Sequence, residues 1–111
     1  MIVSLKSNPT KIYGVYAVYW AEYRGVCQRH YYVIDPDDGL GGFTPLAESQ
    51  VDLADPTLDH FFLCDDPRNR DMLVHRLAHP SQEFFYALVN HGDLEKVEEL
   101  VASMRSRGLQ P

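Results

Sequence analysis

The reading of this chain turns on two neighbouring stretches, Ile12 to Tyr23 (IYGVYAVYWAEY) and Val26 to Ile34 (VCQRHYYVI), separated by Arg24-Gly25. Both are dense in Tyr and Val, residues that fit a pleated, half-buried surface, and a Gly-containing pair between such runs marks a tight turn. Together they predict a β-hairpin. With Arg24 and Gly25 as its central residues, Tyr19 faces His30, Trp20 faces Arg29, Val18 faces Tyr31 and Tyr16 faces Val33. One face then carries Val15, Ala17, Tyr19, Tyr32 and Ile34, and the other carries Tyr16, Val18, Trp20, Tyr31 and Val33. Neither face is polar, so the hairpin is expected to be covered on both sides or to keep one aromatic face for a partner.

Working outward, Ile2 to Leu5, Gly42 to Leu46, Ser49 to Leu53 and His60 to Cys64 read as shorter strands, with Pro45 placing the second of them at an edge. Asp35 to Gly42, rich in Asp, Gly and Pro, reads as a loop. From Asp66 the apolar spacing changes to three and four. Asp66-Pro67 reads as a helix start with Leu73, Val74 and Leu77 as its stripe; Pro80 or Ser81 opens a second helix through Phe84, Phe85, Leu88 and Val89. Asp93 caps a third, with Leu94, Val97, Leu100, Val101 and Met104 on one side and Gly108 beyond its end. The expectation is a single α+β domain over 1–111. Residues 1–65 form a small antiparallel sheet of five or six strands, SH3-like and partly closed, and residues 66–111 form about three helices packed on it. The segment Asn90 to Val101 (NHGDLEKVEELV) resembles the helix-turn-helix join of an ankyrin repeat. It occurs once and lacks the Thr-Pro-Leu-His box, so it reads as general helix-capping chemistry.

No apolar run approaches the roughly 18 residues that span a bilayer, and the N-terminus does not read as a secretory signal. A cytoplasmic protein is therefore expected. Cys27 and Cys64 lie outside any C-x-x-C spacing and read as small buried thiols. Catalytic signatures are missing: there is no G-x-S-x-G elbow, Walker loop or G-x-G-x-x-G. Asp35, Asp37, Asp38 and Gly39 fail the register of a calcium loop. The nearest approach to a metal site is Asp71, His75 and His79, which on a helix would fall at i, i+4 and i+8. That set supports an alternative reading as a metal-dependent or acid-base enzyme, although it lacks the glutamate of H-E-x-x-H. No cofactor is expected.

Charge is the sharpest clue. The chain holds 16 acids against 10 Lys or Arg, a formal charge of -6. From His30 through Pro67 there is no Lys or Arg, while Asp35, Asp37, Asp38, Glu48, Asp52, Asp55, Asp59, Asp65 and Asp66 fall there. Nucleic-acid binding needs clustered cations and is disfavoured. An acidic surface steers a basic partner, and exposed Trp or Tyr beside it supplies hot spots. The expected function is a small binding module, an inhibitor or antitoxin or immunity-type protein, that occupies a basic surface on a partner such as a toxin or nuclease. Its expected contacts are Asp35, Asp37, Asp38, Asp52, Asp55, Asp59, Trp20 and Tyr23. A third reading is an accessory subunit of an oligomer.

Overall fold

A computed structural model describes residues 1–37, 42–64 and 72–111 of the 111-residue chain. Among the described residues eight strands, all paired antiparallel, form two sheets. The smaller has the order β2-β1-β6, built from Ile12–Gly14, Ile2–Leu5 and Val51–Asp55; the larger has the order β5-β4-β3-β8-β7, built from Thr44–Ala47, Val26–Val33, Ala17–Tyr23, Met72–His75 and Phe61–Cys64. Two α-helices follow: α1 (Gln82–Tyr86), prolonged by a π-helical turn over Ala87–His91, and α2 (Leu94–Ser106). The class is α+β, as expected. Two separate open sheets replace the single partly closed barrel.

The central hairpin has the register read from the sequence, with Val18 opposite Tyr31, Tyr19 opposite His30 and Trp20 opposite Arg29. Its turn places both Arg24 (φ 52°) and Gly25 (φ 78°) at positive φ, as a type I′ turn requires. Arg24 thus adopts a conformation that Asn or Gly enters at less cost. The Ile12 to Tyr23 run is not one strand, however. It breaks at Val15-Tyr16, so β2 belongs to the small sheet and β3 to the large one. Passing through that break exchanges the faces of the two residues: Val15 packs with Val18, Tyr31 and Val33, whereas Tyr16 packs with Ala17, Tyr19, Tyr32 and Ile34. Strand alternation holds only while the ladder is unbroken.

The large sheet is covered on both faces. Val18, Tyr31 and Val33 meet Val3, Tyr13 and Val51 of the small sheet. On the opposite face Ala17, Val74 and Met72 meet Phe85, Leu88, Val97, Leu100 and Met104 of the helical layer. An aromatic ladder runs along this second face, with ring centroids 5.3 Å apart for Tyr19 and His30, 4.8 Å for Tyr19 and Tyr32, and 5.3 Å for Tyr32 and Phe43.

The expected first helix is the main correction. Within its described part, residues 72–75 are strand β8, inserted between β3 and β7, and Arg76–Ala78 form one 3₁₀ turn. A short apolar run does not distinguish strand from buried helix by period alone, and pairing on both sides settles it here. Against the expectation of about three helices, two α-helices occur among the described residues. Those two begin as read: Ser81 Oγ accepts from the Phe84 N–H at 3.1 Å, and an Asp93 carboxylate oxygen accepts from the Lys96 N–H at 3.3 Å. Gly92 (φ 55°) supplies the left-handed residue between them.

Candidate functional site

The expected acidic contacts do not behave as one group. Asp35 lies just after β4, where its carboxylate accepts from the Tyr13 hydroxyl at 3.2 Å and from the Asp37 N–H at 3.0 Å. Asp37 is ion-paired with Lys11 at 3.1 Å, an interaction that raises the lysine's affinity for its proton. Glu48 accepts the Arg29 N–H and faces its guanidinium at 3.6 Å. These acids have internal partners and hold turns together. Asp38, Asp71 and the Tyr23 side chain lie outside the described residues.

Asp52, Asp55 and Asp59 form a different set. Asp52 and Asp55 are on β6, and Asp59 is in the connection to β7. Among the described residues none of the three is ion-paired with a Lys or Arg. Asp55 caps its own turn through the Thr57 N–H at 2.9 Å, and hydrogen bonds from Thr57 hold its carboxyl below the usual range. Asp55 and Asp59 also act electrostatically on the Met1 amino group. Between these acids stand two exposed leucines, Leu53 (42% exposed) and Leu58 (41%). An acidic edge interleaved with apolar side chains is thus presented by residues 52–59. Trp20 is also exposed, at 52%, but it belongs to the other sheet, opposite Arg29 on the β3–β4 hairpin.

The histidines are not the chelating pair the helical reading required. His75 ends β8 and packs against Phe61, while His79 packs against Phe62. Phe61 and Phe62 are adjacent in β7 and face opposite sides of the sheet, one in each core cluster. His75 and His79 thus pack against rings on opposite faces of β7, not along one face of a helix. His75 is 3% exposed and its Nδ1 accepts the Leu77 N–H at 3.2 Å, which leaves the ring proton of the neutral form on Nε2. Burial, with help from His60 and the Met1 amine, lowers its pKa to about 4.

His60 is the imidazole that approaches His75, with centroids 5.4 Å apart, and sequence spacing could not have paired them because they meet only through the β7–β8 pairing. Both line a cavity of about 200 Å³, together with Asp55, Thr57 and Asp59. Chemically this is a neutral hydrogen-bond donor beside a second imidazole. No group of three or more His, Cys, Asp or Glu suited to a metal ion occurs among the described residues. A second cavity, about 530 Å³, lies along α2 and is lined by apolar Ile34, Val97 and Val101 and by charged Asp35, Glu98 and Arg105. Of the cysteines Cys64 is buried as expected, but Cys27 is exposed near the hairpin turn. No helix of the described residues is long and apolar enough to cross a membrane. No protein-family model, curated protein or solved structure matches the chain.

Proposed function

We propose that the protein is a small binding module that occupies a basic surface of another protein, as an inhibitor or immunity-type partner of a toxin or nuclease does. The observation that carries this reading is the edge formed by Asp52, Asp55 and Asp59, which have no Lys or Arg partner among the described residues, with Leu53 and Leu58 exposed between them. Exposed carboxylates steer a cationic partner and suppress wrong ones. Apolar side chains among them supply the contact that persists once water is expelled. Asp35 and Asp37, already engaged by Tyr13 and Lys11, are support for the fold in this reading and leave the contact set.

The test is a tagged pull-down from the native cell, quantified by mass spectrometry, comparing the unaltered chain with a double variant carrying Asp52→Lys and Asp59→Lys. Basic proteins captured by the unaltered chain should fall at least about tenfold with the variant, since reversing exposed charges at an interface slows association. Equal capture by the two chains overturns the reading.

A further inference from the structure

His75 stands against the smaller cavity with one ring nitrogen engaged and one not. Nδ1 accepts the Leu77 N–H, so the neutral ring carries its proton on Nε2. Nε2 has no hydrogen-bond partner among the described residues, yet it is not one of the unpartnered side-chain atoms sealed from water, which are Tyr16 Oη, Arg29 Nε and His79 Nε2. The 3% of His75 that stays accessible therefore includes Nε2, and the cavity this residue lines is where that surface opens. A donor on so deeply buried a side chain is costly to leave unpaired, and it calls for an acceptor.

The rest of the lining specifies what carries that acceptor. Ile2, Val15, Phe61 and Met104 are apolar walls. Asp55 and Asp59 add two carboxylates, which outnumber the one Met1 amine they act on. Asp59 and His60 are exposed while His75 and Met104 are buried, so the cavity runs inward from an acid to the histidine donor. Its volume of about 200 Å³ exceeds the roughly 150 Å³ in which an apolar cavity holds benzene, which leaves room for one ring with a short arm.

We propose that this cavity binds a small organic ammonium ion whose aromatic ring carries a hydrogen-bond acceptor. The acceptor takes the His75 Nε2–H, the ring lies against Phe61, and the ammonium meets Asp55 and Asp59. An anion is repelled by those carboxylates. A metal ion needs a bare lone pair on Nε2, and the tautomer set by the Leu77 N–H puts a proton there. The site goes beyond the binding of a basic partner and does not depend on it, although Asp55 and Asp59 belong to both.

The experiment uses the full chain, labelled with nitrogen-15, near neutral pH, with three ligands of one shape. The meta isomer of pyridylethylamine has both acceptor and ammonium; phenylethylamine lacks the acceptor, and the meta isomer of ethylpyridine lacks the ammonium. Expected with pyridylethylamine are saturable shift changes centred on the amides of Phe61, His75 and Met104, and a downfield move of the His75 Nε2–H signal as it gains its acceptor. Phenylethylamine should bind at least about tenfold more weakly, because Nε2 is left unpaired, and ethylpyridine at least about fivefold more weakly, because the carboxylates lose their cation. Asp59→Asn should weaken pyridylethylamine about two- to fivefold, the worth of an exposed ion pair, and leave ethylpyridine unchanged. Equal binding by phenylethylamine or by ethylpyridine overturns the proposed ligand on the unaltered protein, whatever the variant does. Shifts centred on the cavity along α2, or no saturable shifts at ligand on the order of tens of millimolar, overturn the site. The pull-down reads capture of a protein and stands or falls apart from these results.

Discussion

Tyr16 is fully buried, and its hydroxyl has no hydrogen-bond partner among the described residues. Its ring stacks on Phe43 with centroids 5.5 Å apart, so the ring contributes to packing while the hydroxyl is only desolvated, which drives the phenol's pKa well up. Removing an unsatisfied buried polar group without disturbing the packing is favourable by about 1 kcal/mol. Tyr16→Phe should accordingly raise the thermal midpoint by a few degrees; a lower midpoint would show that the hydroxyl is satisfied. His75 has the opposite character, because its Nδ1 is engaged by Leu77 and its neutral form is built into the fold. Burial, His60 and the Met1 amine set the direction of its shift, although the Asp55 and Asp59 carboxylates line the same cavity. Its folded pKa of about 4 lies below the ordinary 6.5, so the unfolded chain binds more protons between those values. Its contribution to stability is therefore complete above pH 6.5 and is lost as pH falls toward 4. Between pH 7 and 4.5 the unaltered protein should lose about 2 to 3 kcal/mol more than His75→Gln in urea unfolding, since glutamine can still accept the Leu77 N–H without titrating. Equal losses would remove His75 from the acid response.

Among the elements, α2 was the most legible: its apolar stripe, its Asp93 cap and its Gly108 stop are all local signals, and the helix forms over Leu94–Ser106. Asp93→Ala removes the acceptor for the Lys96 N–H and should cost about 1 kcal/mol of unfolding free energy, measured in urea. An unchanged value would mean that water or the backbone satisfies that donor equally well. The hairpin was legible for the same reason, because its register follows from a two-residue turn and strict alternation. By contrast, residues 72–75 read locally as helix and form strand β8. Leu73, Val74 and Leu77 have a spacing compatible with either structure, and the choice is made by β3 and β7, which offer hydrogen-bond partners on both sides. The break at Val15-Tyr16 is likewise invisible locally. It exists because β2 must leave for the other sheet, and Gly14 marks the place only in retrospect: its N–H donates to Pro111 at 2.9 Å, and the chain there lies against Gln110 too closely to admit a side chain. Gly14→Ala should therefore destabilise by more than the usual surface range of about 0.5 kcal/mol, read as a drop in thermal midpoint.

Over the whole molecule the charge asymmetry keeps its interest in a narrower form. Nine acids within 38 residues read as one acidic stretch, but the fold distributes the described ones into turns with partners, around Asp35, Asp37 and Glu48, and an edge without Lys or Arg partners, around Asp52, Asp55 and Asp59. Reversal of Asp52 and Asp59 should leave the thermal midpoint within a few degrees, because exposed substitutions usually change stability by less than about 0.5 kcal/mol. The effect should fall on association with a basic partner, growing as salt is lowered, because mobile ions screen exposed charges. A large drop in midpoint would assign those carboxylates to the fold. What the sequence by itself determined is the α+β class, the central hairpin with its register, the caps of α1 and α2, and the bias toward acid; each is encoded within a few neighbouring residues. Only the tertiary structure decided that residues 72–75 are a strand, that His75 and His79 pack against rings on opposite faces of β7, that His60 joins His75, and that Asp52 and Asp55 lie on an outer strand of the small sheet. Those four facts depend on which strands pair across tens of residues, and neither the period nor the spacing of one segment carries that information.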